Sequence, residues 1–291
     1  MHDVVFAPLF LTEARPLAII LGTNEIASAT AVRLSWEGNL VILSHDPFPP
    51  VIRRGMAFHD ALFEDRAQVD GITGERAETL VEIADVLAKP GHVVVTPLQL
   101  TDLLAMRSPD ALIDARMQKY RVTPDLRGIS RLTVGFGPNF EVGLNCDIAI
   151  ETHPAKTGRL VEKGTTDPAD GVARDLGGVG KERFVYSNRH GIWRTAVDIG
   201  MRIFKGMMLG NHDGTPIYAS MDGYLRGIAR DATFVPQGVK LLEIDPRGRA
   251  ATWTGSDQRG RAIADATVKA IRLRSARQAA RRGARAGKIE G

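Results

Sequence analysis

The sequence has one cysteine and no long apolar run, and each scarcity excludes a class of protein. Cys146 cannot form an internal disulfide, and one cysteine cannot build a cysteine-cluster zinc or iron–sulfur site within one chain. No stretch reaches the roughly 18 uninterrupted apolar residues of a membrane-spanning helix, so the sequence predicts no membrane protein. Residues 1–6 include an acid and lack the basic and apolar regions of an export signal, which predicts a cytoplasmic location.

Acidic residues are nearly missing from the last part of the chain. From residue 269 onward there are eight bases and one acid, whereas residues 1–268 hold the other 30 bases and 33 acids and so carry a net charge of −3. A basic tail can bind phosphate backbones or an acidic partner. Because the body of the protein is not basic, the sequence favours a solvated helix end and does not favour nucleic acid as a partner.

What the chain does contain is 291 residues, 44% of them hydrophobic, which suits two domains. An apolar run at residues 16–22 ends on glycine, helical spacing follows, and a second run occupies residues 40–43, an order typical of a β-α-β unit. The chain has further short apolar runs at residues 92–95, 111–114, 132–136 and 148–150, separated in part by helical stretches around 76–88 and 98–107. We therefore predict that residues 1–155 form a Rossmann-like, doubly wound α/β domain.

The candidate ligand residues follow from this prediction, because ligands of doubly wound sheets bind beyond the carboxyl ends of the strands. Residues 22–27, Gly-Thr-Asn-Glu-Ile-Ala, occupy the place of a G-x-G-x-x-A dinucleotide fingerprint. Asn24 replaces the second glycine, which normally lets the backbone approach a pyrophosphate, so an anionic ligand is favoured over tightly bound NAD(P). The predicted cofactor-binding residues are Gly22, Thr23, Asn24, Ala27, Asp46, Asp114, Gly137 and Pro138.

No catalytic residue and no metal ligand can be assigned from the sequence. Asp46 stands 24 residues after Gly22, where an acid could receive a ribose hydroxyl. His45, His59 and His153 could transfer protons, but none has a partner at a recognisable spacing. A binding protein is therefore favoured over an enzyme.

The second half of the chain differs in composition and contains an internal repeat. Residues 156–180 are rich in glycine and proline and are predicted to be a linker. Residues 186–193 match residues 218–225 in pattern, 32 positions further on. The repeat resembles the barrel-sandwich hybrid of biotinyl and lipoyl carrier domains, which predicts a small all-β domain over residues 181–257. A C-terminal helix and basic tail are predicted over residues 258–291.

The carrier domains that the repeat resembles hold their prosthetic group on a lysine of the central hairpin. Here no lysine lies between Lys205 and Lys240, and both are far from the turn at residues 211–214. We therefore expect no covalent biotin or lipoate. His212 in that turn is expected to face solvent rather than bind a metal.

Several segments together resemble one family. They are residues 22–28, 51–58, 112–117, 136–140, 150–152 and 243–248. The likeness, over roughly residues 17–272, is to the selenium-dependent molybdenum hydroxylase system proteins, which are related to xanthine dehydrogenase accessory factors. It implies a cytoplasmic accessory or maturation protein that binds or delivers a molybdopterin-type cofactor to a molybdenum hydroxylase client.

Two other functions stay open beside the accessory role. One is an NAD(P)-linked oxidoreductase, and the other is an assembly scaffold that needs no ligand. A homo-oligomer is also left open. Cys146 could carry sulfur or selenium as a thiolate, but its place before the apolar residues 148–150 favours a buried packing role.

Overall fold

The computed structural model of the protein describes residues 15–119 and 124–286. Its first part is a nine-stranded sheet in the order β3-β4-β5-β2-β1-β6-β7-β8-β9. The strands are β1 (Leu17–Leu21), β2 (Leu40–Ser44), β3 (Arg66–Val69), β4 (Ile72–Arg76), β5 (His92–Thr96), β6 (Ala111–Asp114), β7 (Leu132–Phe136), β8 (Ile148–Ile150) and β9 (Leu160–Val161). The seven inner strands, from β4 to β8 in this order, all run parallel to one another. The edge strands β3 and β9 are antiparallel to their neighbours.

Five α-helices accompany the sheets within the described residues. They are α1 (Glu25–Trp36), α2 (Ala61–Glu64), α3 (Leu80–Leu87), α4 (Leu100–Leu103) and α5 (Gln258–Ala286). One face of the large sheet is covered by α1 and α5 and the other by α3 and α4, so the central strands are buried on both faces. This burial explains why their sequences are continuous apolar runs rather than alternating ones.

The prediction of a Rossmann-like, doubly wound domain is wrong. The sheet is mixed, and two residues of the predicted linker form its antiparallel edge strand β9. A doubly wound fold needs a helix in each crossover. In the described residues between β6 and β7, and between β7 and β8, no helix forms. Helix α5 instead covers the face that α1 also covers, with Ile263, Ala266 and Ala270 buried against it.

The second part of the chain consists of two four-stranded antiparallel sheets, which we call the β module. The first has the order β10-β17-β15-β12 and the second β14-β13-β11-β16. The strands are β10 (Phe184–Tyr186), β11 (Gly191–Arg194), β12 (Arg202–Ile203), β13 (Met208–His212), β14 (Thr215–Tyr218), β15 (Gly223–Ile228), β16 (Phe234–Val235) and β17 (Lys240–Asp245). Strands β11, β12 and β13 begin 32 residues before β15, β16 and β17, so the sequence repeat relates one sheet to the other.

The prediction of a barrel-sandwich hybrid followed by a separate C-terminal helix is wrong. The chain instead forms the two four-stranded sheets of the β module. The two sheets enclose one apolar core that contains Trp193 and Leu225. Helix α5 is not an appendage of the β module, because it packs on α1 and on the large sheet. Among the described residues, no helix is long and apolar enough to cross a bilayer.

Candidate binding site at the carboxyl edge

The turn after β1 is built around a glycine and a capping asparagine. Gly22 has φ of 107°, and a Cβ atom there would lie 3.2 Å from the carbonyl oxygen of Ala115, so only glycine fits. The Asn24 carboxamide oxygen accepts hydrogen bonds from the backbone N–H groups of Ile26 and Ala27, both at 3.0 Å. Its Nδ2 donates to the Ala115 carbonyl at 2.7 Å. Asn24 therefore caps α1 and joins the ends of β1 and β6.

This cap bears on the choice between the ligands that the sequence left open. A dinucleotide pyrophosphate would use free N–H groups at the start of the helix. Two of those groups are already bonded to the Asn24 side chain. Ala27, the last residue of the fingerprint, is buried in the core and packs the helix on the sheet. The helix start is thus complete without a ligand.

The two predicted acids come together at the carboxyl edge, by which we mean the ends of β1, β2, β6 and β7. Asp114, the last residue of β6, is buried and accepts two hydrogen bonds from the Arg116 guanidinium, at 3.0 and 2.6 Å. Asp46 accepts from Gln118 Nε2 at 2.9 Å and lies 3.8 Å from Arg116 Nη1. Arg116 and Gln118 were not predicted, and they connect the two acids into one network.

The loop after β7 lies beside this network, as predicted. Gly135 pairs with Asp114 across β6 and β7. Gly137 has φ of 89°, and a Cβ atom on it would meet the Thr152 hydroxyl at 3.0 Å. Pro138 is half-buried at the turn. The loop is tied across the edge by Asn139, whose side-chain amide donates to the Lys119 carbonyl.

Thr23 links two histidines on the other side of the turn. Its hydroxyl lies 2.9 Å from His59 Nδ1 and 3.3 Å from His45 Nδ1. Burial, reinforced by His45 and the cations Arg54 and Arg230, lowers the pKa of His59 to about 3. Burial also lowers the pKa of His45. Both imidazoles are therefore neutral at physiological pH.

A second charged cluster lies where the β module meets the start of α1, and we call it the basic junction. It comprises five bases and three acids: Arg53, Arg183, Arg226, Lys240, Arg259, Glu25, Glu243 and Asp257. Arg53 donates to Glu243 at 2.6 Å and to Glu25 at 2.8 Å. Burial alone would raise the pKa of Glu243, but Arg53 and the neighbouring guanidinium groups lower it, so this buried carboxylate is charged.

Sequence reasoning missed the basic junction because its members lie far apart in the chain. Arg53 and Glu243 are separated by 190 residues. The segments that carry the family resemblance, residues 51–58 and 243–248, do contain both partners. That resemblance was the available signal, although it did not show that the two segments touch.

Three further predictions have an outcome in the structure. Cys146 is fully buried, and burial raises the pKa of its thiol to about 12, which agrees with a packing role. The prediction that His212 faces solvent is wrong, because His212 is fully buried and neither ring nitrogen has a hydrogen-bond partner among the described residues. No group of three potential metal ligands occurs in the part of the chain that is described.

One surface cavity lies away from Gly22. It measures about 560 Å³ and opens at the end of β4, three strands from β1 in the sheet. Its lining is entirely charged: Asp65, Arg66, Glu75, Arg76, Glu78 and Glu82.

Comparison with known proteins gives one relative and a set of distant structures. No family model matches the chain. The uncharacterized protein YqeB of Escherichia coli K12 is 30% identical over 261 residues, which cover 88% of this chain and 47% of YqeB. The chain thus spans about half the length of that relative.

The solved structures are much less similar. An aspartoacylase family protein from Mesorhizobium loti is 12% identical with a TM-score of 0.25, and a succinylglutamate desuccinylase from Silicibacter sp. TM1040 is 13% identical with a TM-score of 0.23. In both cases the match covers 79% of this chain and 85% of the other. Scores this low carry no argument for a shared activity.

The comparisons also correct the expectation of a molybdenum-cofactor maturation protein with a barrel-sandwich hybrid domain. Three of the matched structures are named as aspartoacylase or succinylglutamate desuccinylase proteins, not as proteins of that maturation class. The identities of the ligand and of a client enzyme are not tested by these matches and stay predictions.

Proposed function

We propose that the protein is a binding protein without a catalytic step of its own, which holds a small ligand at the carboxyl edge. The observation that carries the proposal is the network of Asp114, Arg116, Asp46 and Gln118, because it brings donors and acceptors from the ends of two strands to one place. Arg116 keeps about a fifth of its side chain exposed, so a ligand can reach it. A cytoplasmic location, expected from the sequence, is part of this proposal.

The protonation states at the edge favour binding over catalysis. A general base works best when its pKa lies near the working pH. His59, with a pKa near 3, is a poor proton acceptor at neutral pH. The carboxylate of Asp114 is engaged by Arg116, and the Thr23 hydroxyl is buried between two imidazoles. None of these groups is placed to act on a bound substrate.

An NAD(P)-linked oxidoreductase is the less favoured alternative. The Asn24 side chain occupies the N–H groups that a pyrophosphate would need, and its Nδ2 is held by the Ala115 carbonyl. A dinucleotide would have to break this cap before binding. The two ligand classes can therefore be separated by a direct binding measurement.

The test is calorimetric titration of the purified protein with NADP and with a phosphorylated pterin. We expect the pterin to bind and NADP not to. Asp114→Ala should weaken pterin binding by about 1 to 3 kcal/mol, because Arg116 loses the carboxylate that orients it. Tight NADP binding, or pterin binding unaffected by Asp114→Ala, would contradict the proposal.

The chain offers a matched control for this variant. Asp125 and Arg127 form the same pair as Asp114 and Arg116, with hydrogen bonds of 2.9 and 2.8 Å. That pair is exposed. Asp125→Ala should leave pterin binding unchanged, and an equal loss in both variants would indicate a general effect on stability.

A further inference from the structure

The basic junction holds more positive than negative charge. Its five bases face three acids, a net charge of +2 when all are ionised. Glu243 is shared by Arg53 at 2.6 Å, Arg183 at 3.1 Å and Arg226 at 3.6 Å. A buried charge without a partner is costly. This excess positive charge is available to an anion from outside the junction.

Lys240 and Arg259 carry this excess. Within the described residues neither makes an ion pair with a carboxylate, although Glu25 lies near both. The Lys240 ammonium packs over the Phe184 ring, 3.6 Å from its centroid. The Arg259 guanidinium makes a single hydrogen bond, to the Thr152 carbonyl at 3.3 Å. Both cations thus keep donors free for a ligand.

The starts of α1 and α5 lie side by side at the junction. A Cβ atom on Gly260 would lie 3.0 Å from Ala29 Cβ and 3.8 Å from the Glu25 carbonyl oxygen, so the two helices touch near their starts. Asn24 caps α1, and the Asp257 carboxylate accepts a hydrogen bond from the Gly260 N–H at 2.8 Å. The free positive charge of the junction therefore comes from its side chains and not from the helix starts.

We propose that the basic junction binds the phosphate group of a small molecule, with Lys240 and Arg259 as its contacts. The inference deepens the proposed function, since it names the anionic part of the ligand. It rests on the proposed function in one respect, namely that a single ligand contacts both the carboxyl edge and the basic junction. A phosphate dianion accepts several charge-assisted hydrogen bonds, which the ammonium of Lys240 and the guanidinium of Arg259 can donate.

Lys240 gives the site a measurable pH dependence. Burial, with Arg53 nearby, lowers the pKa of Lys240 to about 8. An anion binds the charged amine, so affinity should fall as the pH rises from 7.5 to 9.5 and the amine loses its proton. Lys240→Arg keeps its charge over this range, and its affinity should fall less. Comparing the two proteins cancels the titration of the ligand itself.

The experiment is calorimetric titration of the full chain with pyrophosphate, with sulfate as the comparison anion. Lys240→Met should weaken pyrophosphate binding about ten-fold or more, because a desolvated cation is lost, and Arg259→Gln should also weaken it. Lys205→Met is the control, because Lys205 is exposed on another loop of the same module. Thermal melting verifies that each variant is folded.

Three results would overturn the proposal. One is that Lys240→Met and Arg259→Gln leave the affinity for pyrophosphate unchanged. Another is that the control Lys205→Met loses as much pyrophosphate affinity as Lys240→Met does. The third is sulfate binding as tightly as pyrophosphate, which would mean an adventitious ion only. If pyrophosphate binding depends on Lys240 while pterin binding ignores Asp114→Ala, the junction site stands and the proposed function at the carboxyl edge fails.

Discussion

The carboxyl edge and the basic junction are two charged regions that both include residues at the start of α1, and they differ in how their charges are paired. At the carboxyl edge, Asp114 is matched by Arg116 and the helix start is matched by the Asn24 side chain. At the basic junction, one carboxylate serves three guanidinium groups, and Lys240 has no acidic partner among the described residues.

This difference shows which charges are structural. A charge that is fully paired by its own chain fixes a turn or an interface, as the pair formed by Asp245 and Arg247 does at 2.6 Å. A partly buried cation without an acidic partner is less stable than a paired one. The second kind is the better indicator of a ligand.

The largest expected effect comes from removing the acid at the centre of the basic junction. Glu243→Gln would leave Arg53, Arg183 and Arg226 without their shared carboxylate in a buried place. We expect the free energy of unfolding to fall by about 3 to 5 kcal/mol, measured by urea denaturation. Glu162→Gln removes the partner of Arg277 in an exposed pair and is expected to change little. A similar small change in Glu243→Gln would mean that the junction is well solvated.

The strands of the large sheet could be predicted from the sequence, but the packing that completes the fold could not. The runs that form β1, β2 and β5 are readable because burial on both sheet faces demands uninterrupted apolar residues. Strand β9 has two half-buried residues, which leave no pattern. The C-terminal helix α5 was predicted from the sequence, but only its long-range contact with α1 shows that it covers the large sheet.

The candidate site was predictable in part for a related reason. Gly22 and Asp114 stand at the ends of apolar runs, so their place at the carboxyl edge follows from the strand order. Arg116 and Gln118 lie in an irregular segment whose course depends on tertiary contacts. The basic junction joins residues more than 180 positions apart, which no local pattern can indicate.

An intermediate effect is expected from the buried histidine at the carboxyl edge. His59 has a pKa near 3 in the folded protein and near its ordinary value of 6.5 when unfolded. The unfolded chain therefore binds the proton first, and stability is present above pH 6.5 and is lost as the pH falls toward 3. At pH 5 the loss from this group is about 2 kcal/mol.

The measurement is the difference in unfolding free energy between pH 7 and pH 5, in the wild type and in His59→Gln. The variant should lose about 2 kcal/mol less than the wild type over this interval. His190→Gln, which alters an exposed histidine, should behave as the wild type does. If all three proteins lose the same stability, His59 is not desolvated in the folded state.

The smallest effect concerns the cap that completes the helix start at the carboxyl edge. Asn24→Ala removes the acceptor for two N–H groups and the donor to the Ala115 carbonyl, so we expect a loss of about 1 to 2 kcal/mol in unfolding free energy. Thr79→Ala removes the cap of α3, which has no such cross-strand bond, and should cost about 1 kcal/mol.

The Asn24→Ala variant also frees two N–H groups at the start of α1. If the Asn24 side chain is what keeps a pyrophosphate out, NADP affinity should rise in Asn24→Ala and stay unchanged in Thr79→Ala. Unchanged NADP affinity in both would mean that the edge excludes dinucleotides by its shape, and that the carboxyl edge and the basic junction differ in more than the pairing of their charges.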